Sequence, residues 1–159
     1  MQKIYLPIGL PGSGKSTWAI EKAKNDINTI IISKDNIREM IKGEYVFDNR
    51  LEPLVTKITL SAFAETIQNN NDIILDETNL TKKVRNFWIN EAKNINEDCE
   101  IIYVIFPERN DLLERRMRKD RGYSKEKWKE VISKLKEIFQ PISDEEQYDK
   151  IIYMKENND

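Results

Sequence analysis

A chain of 159 residues fits one domain of about 100–200 residues, long enough to bury a sheet covered on both faces, and leaves little room for a second. Its net charge of −2, with 34% charged residues, excludes a basic nucleic-acid coat, so any polyanion site must be a local concentration of Arg and Lys. The absence of histidine excludes His triads, His bases and His-ligated zinc, and the single cysteine, Cys99, excludes an internal disulfide. No amino-terminal apolar stretch is long enough for a signal peptide or membrane span, so a cytoplasmic protein is expected, with Asp or Glu as any catalytic base.

The first element is an apolar run, Ile4 to Ile8, read as a strand, with Pro7 expected at its end because proline removes a ladder donor. It leads into Gly9-Leu10-Pro11-Gly12-Ser13-Gly14-Lys15-Ser16-Thr17, and a helix-forming run from Trp18 to Lys24 leads out. This is the pattern of a phosphate-binding loop. Gly9, Gly12 and Gly14 let the backbone turn its N–H groups inward, Ser13 and Thr17 lie along the cradle, and the following helix adds its positive dipole end. Lys15 reaches the β and γ phosphates of a triphosphate such as ATP. Ser16 offers a hydroxyl where a bridging Mg²⁺ needs a hard oxygen ligand.

Further strands are read at Thr29–Ile32, Ile73–Leu75, Ile101–Phe106 and Ile151–Met154, with helical patterns between them, which is α/β alternation. Consecutive apolar residues such as Ile30-Ile31-Ile32 suit a parallel sheet with helices on both faces. After the second strand, Ser33-Lys34-Asp35-Asn36-Ile37-Arg38 starts a helix at the sheet edge that carries ligands in such folds. Asp35 is either the helix cap or a catalytic carboxylate. Lys42 to Arg50 has no period and reads as a surface connection, whereas Leu51, Leu54, Val55, Ile58 and Ala62 recur at helical spacing and are expected in the core. Asn69-Asn70-Asn71 ends that helix.

The third strand ends in Asp76, placed to orient Mg²⁺ from beside the loop. Glu77-Thr78-Asn79 is a polar turn before a helix whose Val84, Phe87 and Trp88 are expected in the core. After the fourth strand, Leu112 and Leu113 anchor a helix that runs into Arg115-Arg116-Met117-Arg118-Lys119-Asp120-Arg121-Gly122, with Arg115, Arg118 and Arg121 near one face. In a chain with a triphosphate loop, an arginine lid over the phosphates explains this cluster better than a solvated surface. The last helix is capped by Ser124, carries Trp128, Val131, Ile132, Leu135, Ile138 and Phe139 on one face, and stops at Pro141. An acidic connection, Ser143 to Lys150, precedes the last strand, and Glu156 to Asp159 reads as a frayed tail.

Together these residues resemble the bacteriophage-type polynucleotide 5′-kinases. The segment Ile8 to Ala19 is similar to that family's phosphate loop, Asp35 with Arg38 resembles its catalytic aspartate and acceptor-phosphate arginine, and Asp76-Glu77-Thr78-Asn79-Leu80 is similar to its Asp-x-Thr-Asn turn. The resemblance implies a P-loop NTPase fold of four or five parallel strands with helices on both faces, and transfer of the ATP γ-phosphate to the 5′-hydroxyl of DNA or RNA. It implies Asp35 as general base, Arg38 on the acceptor's 3′-phosphate, and Thr78 and Asn79 toward the substrate. The lid has one residue more between its arginines than the family spacing, so Arg115 with Lys119, or Arg116 and Arg118 with Arg121, are alternative registers. Arg115 and Arg121 are favoured as the catalytic pair, with Arg118 toward the nucleotide. The Asp-x-Asp-Gly-Thr phosphatase signature often fused to this family does not occur, and the Asn-, Ile- and Lys-rich composition suits an AT-rich phage or bacterial genome.

A small-metabolite kinase acting on a nucleoside or sugar shares the loop and the fold class, and only the acceptor pocket separates it. A nucleotide-dependent switch would be expected to carry an Asn-Lys-x-Asp motif, which is absent. A non-catalytic nucleotide-binding module would leave Asp35 and the lid without a use.

Overall fold

The computed structural model describes residues 1–119 and 121–156. Eleven elements alternate along these residues: β1 (Lys3–Ile8), α1 (Lys15–Asn25), β2 (Thr29–Ile32), α2 (Lys34–Lys42), α3 (Glu52–Gln68), β3 (Asp72–Leu75), α4 (Lys82–Ile95), β4 (Glu100–Ile105), α5 (Leu112–Met117), α6 (Lys125–Ile138) and β5 (Lys150–Tyr153). All strand pairs are parallel, in the order β2-β3-β1-β4-β5. Every strand falls within one residue of its sequence-based position. The tail after Glu156 and Asp120 of the arginine run lie outside the described residues.

β1, β3 and β4 are buried on both faces, which leaves them no polar face to mis-register, whereas the edge strands β2 and β5 are partly exposed, so Ile30, expected inside, is 40% exposed because no strand covers that side of β2. Ile4, Leu6, Ile8, Ile73, Leu75, Ile101 and Tyr103 point to one face, where Phe63 and Ile67 of α3 and Trp88, Ile89 and Ala92 of α4 cover them. The alternate residues, Tyr5, Ile74, Ile102 and Val104, point to the other face and meet Ala19 and Trp18 of α1. Truncating a fully buried residue such as Ile4 or Ile73 to Ala would cost about 2–5 kcal/mol.

Pro7 is not at the strand's end but within it, paired in register with Val104 of β4. The fold tolerates it because β1 pairs with β3 only through Ile4 and Tyr5, so on that side no ladder donor is needed at position 7. The Asn79 side-chain amide donates to the Pro7 carbonyl at 2.7 Å instead.

Three helices bury a different set of residues from the one expected. In α3 the buried face is Val55, Thr59, Phe63 and Ile67, and Leu54 is 46% exposed. In α4 Val84 and Phe87 are exposed, and the place expected for an apolar residue is taken by Arg85, which is wholly buried. Its Nε donates to Glu146 at 2.6 Å, its Nη1 to the Asn79 carbonyl at 3.1 Å and its Nη2 to the Gln140 carbonyl at 3.1 Å. Tyr103 adds its hydroxyl to Glu146 at 2.9 Å. In α6 Trp128 and Ile132 are buried, whereas Ile138 and Phe139 are exposed. No helix among the described residues is long and apolar enough to cross a membrane.

Candidate active site

The loop after β1, the start of α2 after β2 and the turn after β3 all leave the carboxyl ends of neighbouring strands, so the topology gathers them at one sheet edge. The loop from Gly9 to Gly14 is tied down by the Gly9 N–H on the Thr78 carbonyl and the Ser13 N–H on the Leu10 carbonyl, at 3.2 and 3.1 Å. Gly12 has φ 85°, and a Cβ there would lie 2.5 Å from the Leu112 carbonyl oxygen, so loop and α5 touch backbone to backbone. Gly14 is the left-handed N-cap of α1, and no side chain caps that helix. Its first N–H groups are therefore available to an anion. Lys15 is buried, with Nζ donating to the Leu10 carbonyl at 2.9 Å and Ser13 Oγ at 3.5 Å. Burial lowers its pKa to about 8 against the opposing pull of Asp76 and Glu77. Ser16 is partly buried at the second position of α1, and Thr17 is exposed.

Ser33 caps α2, its hydroxyl accepting from the Asn36 N–H, so Asp35 is not the cap. Asp35 stands in the first turn with a guanidinium on each carboxylate oxygen. Arg38 Nη1 donates to Oδ1 and Arg121 Nη1 to Oδ2, both at 2.7 Å. Arg38 is held on its other side by Glu52 of α3, which takes Nε and Nη2 at 2.8 Å each. Burial opposes the Arg38 charge, but the bonds to Glu52 and the charge of Asp35 more than reverse this. Beside them Glu77 accepts the Lys34 N–H at 2.6 Å, pinning the start of α2 to the turn after β3. Burial pushes the Glu77 carboxyl up to about 7.

Thr78 is partly buried on that turn. Asn79, expected toward the substrate, is 1% exposed and has φ 49°. Its amide donates to the Pro7 and Leu75 carbonyls at 2.7 and 3.3 Å, which makes it a brace under the turn. The reason is steric and electrostatic: the left-handed backbone suits Asn, and the donorless stretch beside Pro7 gives its amide a place to bond.

The arginine run does not present 115, 118 and 121 on one helical face, because α5 ends at Met117. The Arg118 and Lys119 N–H groups bond three residues back at 3.3 Å, tightening the last turn, and Gly122 has φ 72°. Arg115 Nε donates to the Gly12 carbonyl at 2.9 Å, so Arg115 and Arg121 both touch site elements, one from the helix and one from the turn beyond it. Arg118, expected at the nucleotide, is the C-cap and its side chain is exposed. Arg116 is buried instead, its guanidinium 4.0 Å from the Trp128 ring centroid and its Nε without a hydrogen-bond partner among the described residues. Burial, with Arg121 nearby, lowers its pKa.

No group of three or more carboxylate, His or Cys side chains among the described residues could hold a metal alone. A hydroxyl from Ser16 and a carboxylate from Asp76, both beside Lys15, fit Mg²⁺, which keeps water and phosphate in most of its positions. Sequence reasoning missed Glu52 and Glu77, and offered Arg116 only in an alternative register of the lid. Glu77 had a signal, as the second of two carboxylates closing a buried strand. Glu52 had none, since its role depends on α3 folding back beside α2.

Residues 4–142 match the family model AAA_33, an AAA domain. Among solved structures the chain is similar to a fungal RNA kinase, at 18% identity and TM-score 0.69, covering 99% of this chain and 76% of that one. It is also similar to a chain of the Pnkp1/Rnl/Hen1 RNA repair complex, at 22% identity and TM-score 0.65, covering 89% of this chain and 48% of that one. The chain thus spans about half the length of that relative. A gluconokinase from Sinorhizobium meliloti 1021 matches at 17% identity and TM-score 0.54, covering 96% and 81%. With its phosphate loop, five-stranded parallel sheet and a family match over most of its length, the chain belongs to the AAA_33 family and has the nucleotide-binding P-loop kinase fold.

Proposed function

We propose that the protein is an ATP-dependent kinase of 5′-hydroxyl ends of DNA or RNA, of the type seen in bacteriophages. The observation that carries this reading is Asp35, a carboxylate in the first turn of α2 with arginines on both oxygens, at the same sheet edge as Lys15. The RNA kinase and RNA repair proteins among the structural relatives support it. The loop N–H groups and Lys15 bind the triphosphate, Lys15 exchanging the Leu10 carbonyl for phosphate oxygens. Ser16 and Asp76 would hold Mg²⁺, which when bound offsets charge on the β and γ phosphates. Asp35 accepts a hydrogen bond from the 5′-hydroxyl, orients its oxygen in line with the γ-phosphorus and takes its proton. The oxygen–phosphorus bond forms as the β–γ bridge breaks, releasing ADP.

Each Asp35 oxygen keeps a lone pair beyond its arginine bond for the hydroxyl, and the departure of one arginine opens the approach to it. Arg121, carried on the turn after α5, is the mobile partner and moves its charge onto the phosphoryl group in transfer, while Arg115 stays on the loop. Arg38 stays on Asp35 and meets the acceptor's 3′-phosphate with the second N–H of its Nη1, held in orientation by Glu52. Thr78 faces the acceptor from the turn after β3.

A small-metabolite kinase is the second reading. It is favoured by the grip of Glu52 on two of the Arg38 donors, which leaves less of the fork for a phosphate, and by the gluconokinase likeness. Incubation with γ-labelled ATP, Mg²⁺ and a panel of 5′-hydroxyl oligonucleotides, nucleosides and gluconate separates the two. The proposal requires label on the oligonucleotides. Label on gluconate or nucleosides in preference would replace it with the second reading.

A further inference from the structure

We propose that Phe47, on the connection between α2 and α3, is a stacking platform for the nucleobase of the acceptor nucleotide, with Tyr45 and Tyr123 as the wall beside it. This deepens the proposed function and rests on it. Both arginines that hold Asp35 lie against aromatic rings from this one connection. Arg38 is 5.2 Å from the Phe47 ring centroid and Arg121 is 4.7 Å from that of Tyr45. The two oxygens of Asp35 therefore each lead, through one guanidinium, to one ring two residues from the other.

The two rings differ in what remains open. Tyr45 is partly buried and meets the Tyr123 ring edge-on, with centroids 5.8 Å apart, and Tyr123 packs in turn on Trp128 at 5.0 Å. Phe47 is 51% exposed, and among the described residues it meets no other ring. An apolar ring on a polar connection, against a cation and with about half its surface in water, is arranged to take a second flat partner. A 5′-hydroxyl at Asp35 brings its own base one sugar away, and every base has a π-face that stacks on an aromatic ring regardless of sequence. A phosphate on Arg38 and a base on Phe47 would then be read side by side, which a sugar acceptor could not exploit.

The test compares KM for two 5′-hydroxyl oligonucleotides that differ only in whether the terminal nucleotide carries adenine or is abasic, in wild type and in Phe47→Ala, Phe47→Leu and Phe47→Trp. Thermal melting checks that each variant is folded. In wild type the abasic end should have a KM about tenfold higher. In Phe47→Ala that ratio should fall to about one, in Phe47→Leu it should recover little because bulk without a π-plane does not stack, and in Phe47→Trp it should persist. A folded Phe47→Ala protein that keeps the wild-type ratio, or a wild type that shows no preference, overturns the platform while phosphate transfer to both ends leaves the proposed function standing. Failure of wild type to label either end removes that function and the platform with it.

Discussion

At Asp35 the two roles open in the sequence, cap and base, separate cleanly once Ser33 is seen to bond the Asn36 N–H. Asp35→Asn keeps the volume but cannot take a proton, so turnover should fall by about 10²–10⁴-fold. Stability should fall far less than activity, because Asp35 itself is 35% exposed, though one of its nearly buried arginines then faces an amide nitrogen. Ser33→Ala should do the reverse, costing about 1 kcal/mol in denaturation with activity largely kept. Matched kinetics and melting of the two variants check this, and an active Asp35→Asn protein would return the residue to a structural role. Lys15 offers an independent test through its proton. Burial holds it near 8 in the free protein, and a triphosphate on Nζ raises it, so binding of ATP at pH 8 should take up protons. Calorimetry in buffers of different ionisation enthalpy reads this directly. Proton release, or none, would mean that Lys15 does not meet the phosphates. By the same shift, the cost of burying the Lys15 charge is full below pH 8 and fades as pH rises toward the unfolded value of 10.5.

At the scale of elements, strands were legible and helix faces less so. The run Ile73-Ile74-Leu75 is a strand buried on both sides as read, whereas Ile30-Ile31-Ile32 is a strand at the sheet edge with Ile30 40% exposed, and the glycine spacing with Lys15 and Ser16 admits little but a phosphate loop. In α4 Trp88 is buried as its periodicity implies, but Val84 and Phe87 are not, because apolar periodicity cannot anticipate a buried Arg85 whose partner, Glu146, lies 61 residues away. The lid's helical face was misjudged because α5 stops where its carbonyls accept three-residue bonds, a choice made by packing rather than propensity. The Arg85 network joins α4, the Asn79 carbonyl and the connection before β5, so it supports the turn that carries Asp76 and Thr78. Arg85→Ala should destabilise the protein by about 3–5 kcal/mol by leaving Glu146 buried without its partner. Replacing both residues by apolar ones of similar size should recover much of that. Chemical denaturation measures both, and a loss below about 1 kcal/mol for Arg85→Ala would show the pair to be dispensable.

Across the whole molecule the parallel order β2-β3-β1-β4-β5 places the phosphate loop, the Asp35 helix and the Asp76 turn at one edge, with charge concentrated there in a chain whose net charge is only −2. That much follows from α/β alternation and the handedness of its crossovers. The proposed acceptor site does not, because Glu52, Arg38, Arg121 and the connection from Gly43 to Arg50 meet around Asp35 through contacts between segments far apart in sequence. In the proposed reaction Arg38 recognises a phosphate on the 3′ side of the hydroxyl being phosphorylated. The most direct measurement is labelling from γ-labelled ATP of a nucleoside and of its 3′-monophosphate at equal concentration, by wild type and Arg38→Ala. Wild type should label the 3′-monophosphate far better, rising salt should weaken this preference, and Arg38→Ala should abolish it. Equal labelling of the two acceptors by wild type would contradict it.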